Sequence, residues 1–172
     1  KKALAAIKKG DALAYKGGLD LPEAVASYEA ALQVNPDNAE VILKLGLCLL
    51  NGPDPSTALG TIQRAAELDP ERPRVHFLLG YALQLNARWD EAIAEFTRHG
   101  QAIRLSPDPD RTYNMVDKHT AECRNGKVYM ASPVRATVMN AGNVVNTSGS
   151  EYAALLEPKG VLDCTSKRAH NT

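Results

Sequence analysis

The chain has 172 residues, with 20 basic against 20 acidic side chains, 44 % hydrophobic residues and 5 % aromatic ones. That length holds one domain or two small ones with a real core. The cancelled charge argues against nucleic acid or an anionic membrane as partner, and no run of about 18 apolar residues is present to span a bilayer.

Few aromatics beside abundant Ala and Leu suit close-packed helices. The start, KKALAAIKKG, has no apolar stretch ahead of a cleavage site, so no signal peptide is expected there. Cys48, Cys123 and Cys164 are an odd number without CxxC spacing. Free thiols are expected, with a Cys123–Cys164 bond as the alternative.

Three units of one pattern come first. Ala24, Ala58 and Ala92 are each 34 residues apart, as are Pro36 and Pro70. The first unit, about 2–36, predicts a helix carrying Leu4, Ile7, Leu13 and Tyr15. A capping box from Asp20 to Glu23 then opens a return helix with Ala24, Val25, Tyr28, Ala31 and Leu32. The second unit, 37–70, predicts a box from Asp37 to Glu40, a helix marked by Ile42, Leu45, Gly46 and Leu49, and a return helix lined by Ala58, Ile62, Ala65 and Leu68. Gly46 and Gly80 share one phase, where a partner helix crossing closely would explain the missing side chain. The third unit, 71–107, carries three extra residues near His99-Gly100-Gln101, for which a longer helix with a bulge is expected.

A capping helix is predicted over 108–126, its helical stripe Tyr113, Val116, Thr120 and Cys123 ending at Gly126 near C′. Beyond it, over 127–172, the period shortens to two. Val128 with Met130, and Val134 with Ala136 and Val138, read as strands. Tyr152–Leu156 and Val161–Thr165 flank the turn Glu157-Pro-Lys-Gly160 as two more.

With Gly46 and Gly80, Ala24, Ala58 and Ala92, Ala31 and Ala65, and Pro36 and Pro70 in register, residues 1–107 resemble tetratricopeptide repeat proteins. The resemblance implies a mainly α fold: three antiparallel helix pairs in a right-handed superhelix, whose concave face holds a partner segment. The tail resembles the entry into a PD40-type (TolB-like) β-propeller. The matching points are Glu122-Cys123-Arg-Asn-Gly126, Pro133-Val134, Asn140-Ala-Gly142, Val145-Asn146, Ser150-Glu-Tyr-Ala153 and Thr165-Ser-Lys-Arg168. It departs from that pattern at Ala154-Leu155-Leu156, Lys159-Gly160 and Cys164. The version it is similar to follows tetratricopeptide repeats in OmpA-family envelope proteins of Bacteroidota. That likeness implies a periplasmic, outer-membrane-associated scaffold, a place in type IX secretion or gliding machinery, and a chain that continues into further blades.

Candidate chemistry is sparse. His76, His99, His119 and His170 share no ligand spacing with each other or with the cysteines, so no metal and no cofactor are expected. His119 and Cys123 are an i, i+4 pair, the one place where an enzyme reading could start. Family geometry places Lys9, Leu13, Glu40, Leu43, Leu47, Arg74, Phe77 and Tyr81 on the concave face. Leu13, Leu43, Leu47 and Phe77 cannot clamp a terminal carboxylate, so the expected partner is an apolar or amphipathic protein segment. A free-standing cytosolic adaptor is the rival to the envelope scaffold.

Overall fold

The computed structural model describes residues 1–72, 74–104 and 115–133 in full, and the backbone of 113–114, 151–156 and 162–166. The chain divides into two compact units, Lys1–Pro133 and Val134–Thr172.

The first unit is helical. Its helices are α1 (Lys2–Lys16), α2 (Leu21–Leu32), α3 (Ala39–Leu50), α4 (Leu59–Leu68), α5 (Val75–Leu85), α6 (Trp89–Arg104) and α7 (Tyr113–Ala131). Each packs mainly on its neighbours in the chain, from α1 against α2 through to α6 against α7. One core joins the first pair to α3 through Leu13, Ala24, Tyr28, Val41 and Cys48. The other runs from Ile42 and Ile62 through Phe77 and Phe96 to Val116 and Cys123 of α7. Phe96 is fully buried, worth roughly 2–3 kcal/mol of transfer free energy.

The glycines explain how the pairs close. A Cβ on Gly46 would come within 2.5 Å of Ile62 Cγ1, and one on Gly80 within 2.9 Å of the Phe96 ring. Gly10 stands in the same place: its Cβ would meet Tyr28 Cε1 at 2.7 Å. Only hydrogen fits where the helices approach this closely. Gly10 is thus the first repeat's counterpart of Gly46 and Gly80, although Gly10 to Ala24 is 14 residues where the later pairs have 12. The two extra residues lie in the turn, where Gly17 (φ 67) and Gly18 (φ 57) lead into a single 3₁₀ turn, Gly18–Asp20.

Several expectations are corrected. Asp20 is itself in αR geometry and makes no side-chain cap, while Glu23 reaches Lys9 at 2.7 Å instead. The cap of α3 is Asn38, whose Oδ1 accepts from the Val41 N–H at 3.2 Å, and Asp37 pairs with Arg64 at 2.8 Å. Helix α6 runs unbroken through His99-Gly100-Gln101 without a bulge. Gly126 does not end α7, which continues to Ala131, so Val128 and Met130 are helical rather than extended. The reason is packing: a Cβ at Gly126 would lie 3.0 Å from the Trp89 ring, so this glycine serves a close approach within the helix.

In the second unit, strands β1 (Glu151–Leu156) and β2 (Leu162–Ser166) pair antiparallel, Tyr152 opposite Thr165 and Leu156 opposite Leu162. A register shift falls between Tyr152 and Leu155. The expected elements at Pro107, Asp110, Val134–Val138, Asn140–Asn143 and the turn Glu157–Gly160, and the side chain of Cys164, lie outside the described residues.

Candidate partner-binding groove

Counting from the packing glycines sets the phase of the groove. Glu40, Leu43 and Leu47 stand around Gly46 as Arg74, Phe77 and Tyr81 stand around Gly80. Around Gly10 the same places hold Leu4, Ile7 and Asp11. Lys9 and Leu13 are therefore not groove residues. The 34-residue count crosses the two-residue insertion and lands two positions late. Lys9 turns to Glu23 of α2, and Leu13 is buried in the first core.

The remaining six are not equivalent either. Leu43 and Phe77 are core side chains. Phe77 lies under Phe96, His99 and His119, with ring centroids 5.6, 5.4 and 5.6 Å away. Tyr81 is half-buried against His119 at 5.3 Å. The third station of the groove is thus filled by α7, which Gln84 also ties down through Glu122 at 2.9 Å. Arg74 is exposed at the start of α5, in left-handed geometry (φ 66). Glu40 is exposed and reaches Lys44 at 3.1 Å, and Leu47 remains 37 % exposed.

What stays open is the first half. An open groove of about 520 Å³ runs between α1 and α3, with Ala14, Tyr28, Lys44, Leu47 and Cys48 in its lining. A second, of about 780 Å³, lies between the first two helix turns and is walled by Leu19, Leu21, Pro22, Val25, Leu49 and Pro53. The two share Gly18, Leu21, Cys48 and Asn51. Leu4 (57 %), Tyr15 (94 %) and Leu19 (101 %) stand exposed on the same helix pair.

The polar groups of the first groove satisfy one another. Tyr28 Oη donates to Asp11 Oδ1 at 2.8 Å, and Lys44 Nζ reaches Asp11 at 2.9 Å and Glu40 at 3.1 Å. Burial pushes the Asp11 carboxyl up, but the hydrogen bonds from Lys44 and Tyr28 outweigh it and hold the group below its ordinary range. Burial lowers the Lys44 ammonium, and its bonds to Asp11 and Glu40 reverse that. Burial, then the bond to Asp11, drives the Tyr28 phenol well up. The network pins α1 to α2 and α3 and leaves no free charge to act as acid or base.

The other candidates are structural. His76 Nδ1 lies 2.6 Å from Glu95 of the return helix, as a satisfied packing histidine should. His119 is buried, stacked on Phe96 at 5.3 Å, with Nδ1 on Glu122 at 2.9 Å. Cys123 is a free thiol at 0 % exposure, and burial pushes it up, Glu122 adding to this. A nucleophile must be reachable and ionised, and this one is neither. Among the described residues no three His, Cys, Asp or Glu side chains could hold a metal, and no helix is long and apolar enough to cross a membrane.

Helix pairs stacked in chain order, each closed by a glycine under the same position of its return helix, define a solenoid of helical hairpins that works by presenting surface. A family model described as tetratricopeptide repeat matches residues 7–73 and 54–107, and the chain belongs to that family. The Arabidopsis OM64 TPR domain is similar at 21 % identity and a TM-score of 0.59, over 72 % of this chain and 94 % of that one. The MamA protein matches at 19 % identity over 80 % of this chain and 98 % of that one, with a TM-score of 0.29 that carries no weight for the fold.

Proposed function

We propose that the protein is a non-catalytic scaffold whose open half-groove, on α1 and α3, takes an apolar or amphipathic segment of a protein partner. The observation that carries this is the arrangement at the first two repeats. Leu47 is partly exposed in a groove whose lining lysine, Lys44, is already paired with Asp11 and Glu40, and Tyr15, next in sequence to the lining residue Ala14, stands exposed. Exposed apolar side chains gathered at a concavity mark a contact surface. The test is co-purification of the tagged protein from its native source. Tyr15→Asp with Leu47→Asp should lose the partner at an unchanged melting temperature. Retention of the partner by that variant would refute the site.

The finer setting is proposed on the tail. Its likeness to a PD40-type propeller entry, together with the β1–β2 hairpin, supports a periplasmic scaffold linked to peptidoglycan through further domains, in type IX secretion or gliding machinery. The repeats alone suit a cytosolic adaptor equally. The intact mass of the native protein separates the two: a mass far above 18.5 kDa favours the envelope scaffold, and one near it the adaptor.

A further inference from the structure

We infer that the groove between the first two helix turns is a second docking site, adjoining the α1–α3 face, which takes a short apolar peptide segment flanked by Lys or Arg. This rests on the scaffold reading above. The lip of this groove is built by the insertion that sets the first repeat apart. Gly17 and Gly18, both at positive φ, swing Leu19 wholly into solvent, and Leu21, Pro22 and Val25 continue the wall. Leu49 and Pro53 form the opposite side, and the volume of about 780 Å³ is of the size that binding sites use. A leucine at 101 % exposure contributes nothing to the fold it sits on, and its burial is available to a partner.

Charge selects the occupant. Among the described residues Asp54 is the one ionisable side chain in the lining besides Cys48, and Asp20 is next in sequence to the lining residues Leu19 and Leu21. Oδ1 of Asp54 accepts from the Ser56 N–H at 3.2 Å and from its hydroxyl at 2.6 Å. Among the described residues neither Asp20 nor Asp54 forms an ion pair. The α1–α3 face differs, since Lys44 there is held by Asp11 and Glu40. An apolar trough with the Asp54 carboxylate in its lining and Asp20 adjacent in sequence, neither ion-paired among the described residues, attracts a segment with cationic flanks and repels one with anionic flanks.

The experiment uses two fluorescein-labelled peptides with a Leu-Val-Leu-Val centre, one flanked by lysines and one by glutamates, titrated against the full chain by fluorescence anisotropy. The lysine-flanked peptide should bind about fivefold tighter or better, the sum expected of two exposed ion pairs. Asp20→Lys with Asp54→Lys should reverse the preference, and Leu19→Ser should weaken both peptides at an unchanged melting temperature. Equal binding of the two peptides, or binding by neither, overturns the inference. So does binding that survives Leu19→Ser but fails in Tyr15→Asp with Leu47→Asp, and that last result would leave the α1–α3 site standing.

Discussion

Replacing Gly80 by alanine adds one methyl where the α5–α6 pair has no room for it. The new Cβ would lie 2.9 Å from Cδ1 and Cε1 of Phe96 and 3.2 Å from the Ala92 carbonyl oxygen. Carbon pairs are comfortable at about 3.5–4.0 Å, so the ring must retreat by roughly 0.6 Å or more. It has nowhere to go: Phe96 is fully buried, with Phe77 at 5.6 Å on one side and His119 stacked at 5.3 Å on another. Overpacking of this kind costs about 1–3 kcal/mol, and alanine returns up to about 1 kcal/mol of helix propensity. The net loss of about 1–2 kcal/mol corresponds to a fall in Tm of roughly 3–8 °C for a unit of this size. Far-UV circular dichroism melts would read it. Gly60→Ala is the matched control, because a Cβ there meets nothing within 4 Å, and its Tm should hold or rise. Gly80→Ala combined with Phe96→Leu should recover part of the loss. A Gly80→Ala protein melting at or above wild type would refute the close-crossing explanation for all three glycines.

Asp11→Asn should cost about 0.5–1 kcal/mol at neutral pH, discounted for the exposure of the pair. Because the Asp11 carboxyl is held below its ordinary range, its contribution is complete above about pH 4 and fades as pH falls through the folded value. Melts of wild type and variant should therefore converge on acidification, and a gap that widens would contradict the network. Ala87 sits at φ 57 in the α5–α6 turn, so Ala87→Gly should raise Tm by a few degrees, the relief of about 1 kcal/mol of left-handed strain. Gly126→Ala should lift α7 from Trp89, the chain's only tryptophan, and shift its fluorescence to the red; an unchanged spectrum would mean that α7 is not held there. Phe77→Ala should cost about 3–5 kcal/mol of stability as a core deletion, whereas Leu47→Ala should leave the melt within about 0.5 kcal/mol.

The repeat architecture could be read from the sequence because its cause is periodic. A glycine and an alanine recur where helices touch, and Gly46, Gly80, Ala58 and Ala92 keep that spacing. Gly10 escaped the count because the insertion at Gly17–Asp20 lies between it and Ala24. Counting back from Tyr28 fails in the same way, because Gly10 lies 18 residues before it where Gly46 and Gly80 lie 16 before Ile62 and Phe96. The capping boxes failed for an electrostatic reason: Glu23 and Asp37 are drawn to Lys9 and Arg64, partners on other helices that no local pattern shows. Val128 and Met130 are two alternating residues, too few to tell a strand from the last turn of a helix. The groove was legible as a place but not in its lining. Whether Phe77 faces a partner or the interior depends on α7, which supplies the ring that covers it.

The two cores of the helical unit meet at α3, which gives Val41, Leu45 and Cys48 to one and Ile42, Leu43 and Leu50 to the other, with Leu32 and Leu49 packing against both. Cooperativity between repeats has to pass through that helix. In a linear array each unit is stabilised by its neighbours, and the weakest joint decides where the array comes apart. The first helix pair, which walls one side of both open grooves and has a helical neighbour in α3 alone, is therefore the segment that can melt while α4 to α7 stay folded. Native-state hydrogen exchange would show this as earlier deprotection of α1 and α2. A partner seated on that pair would then do two things at once, binding the protein and fastening its loosest repeat to the rest of the stack.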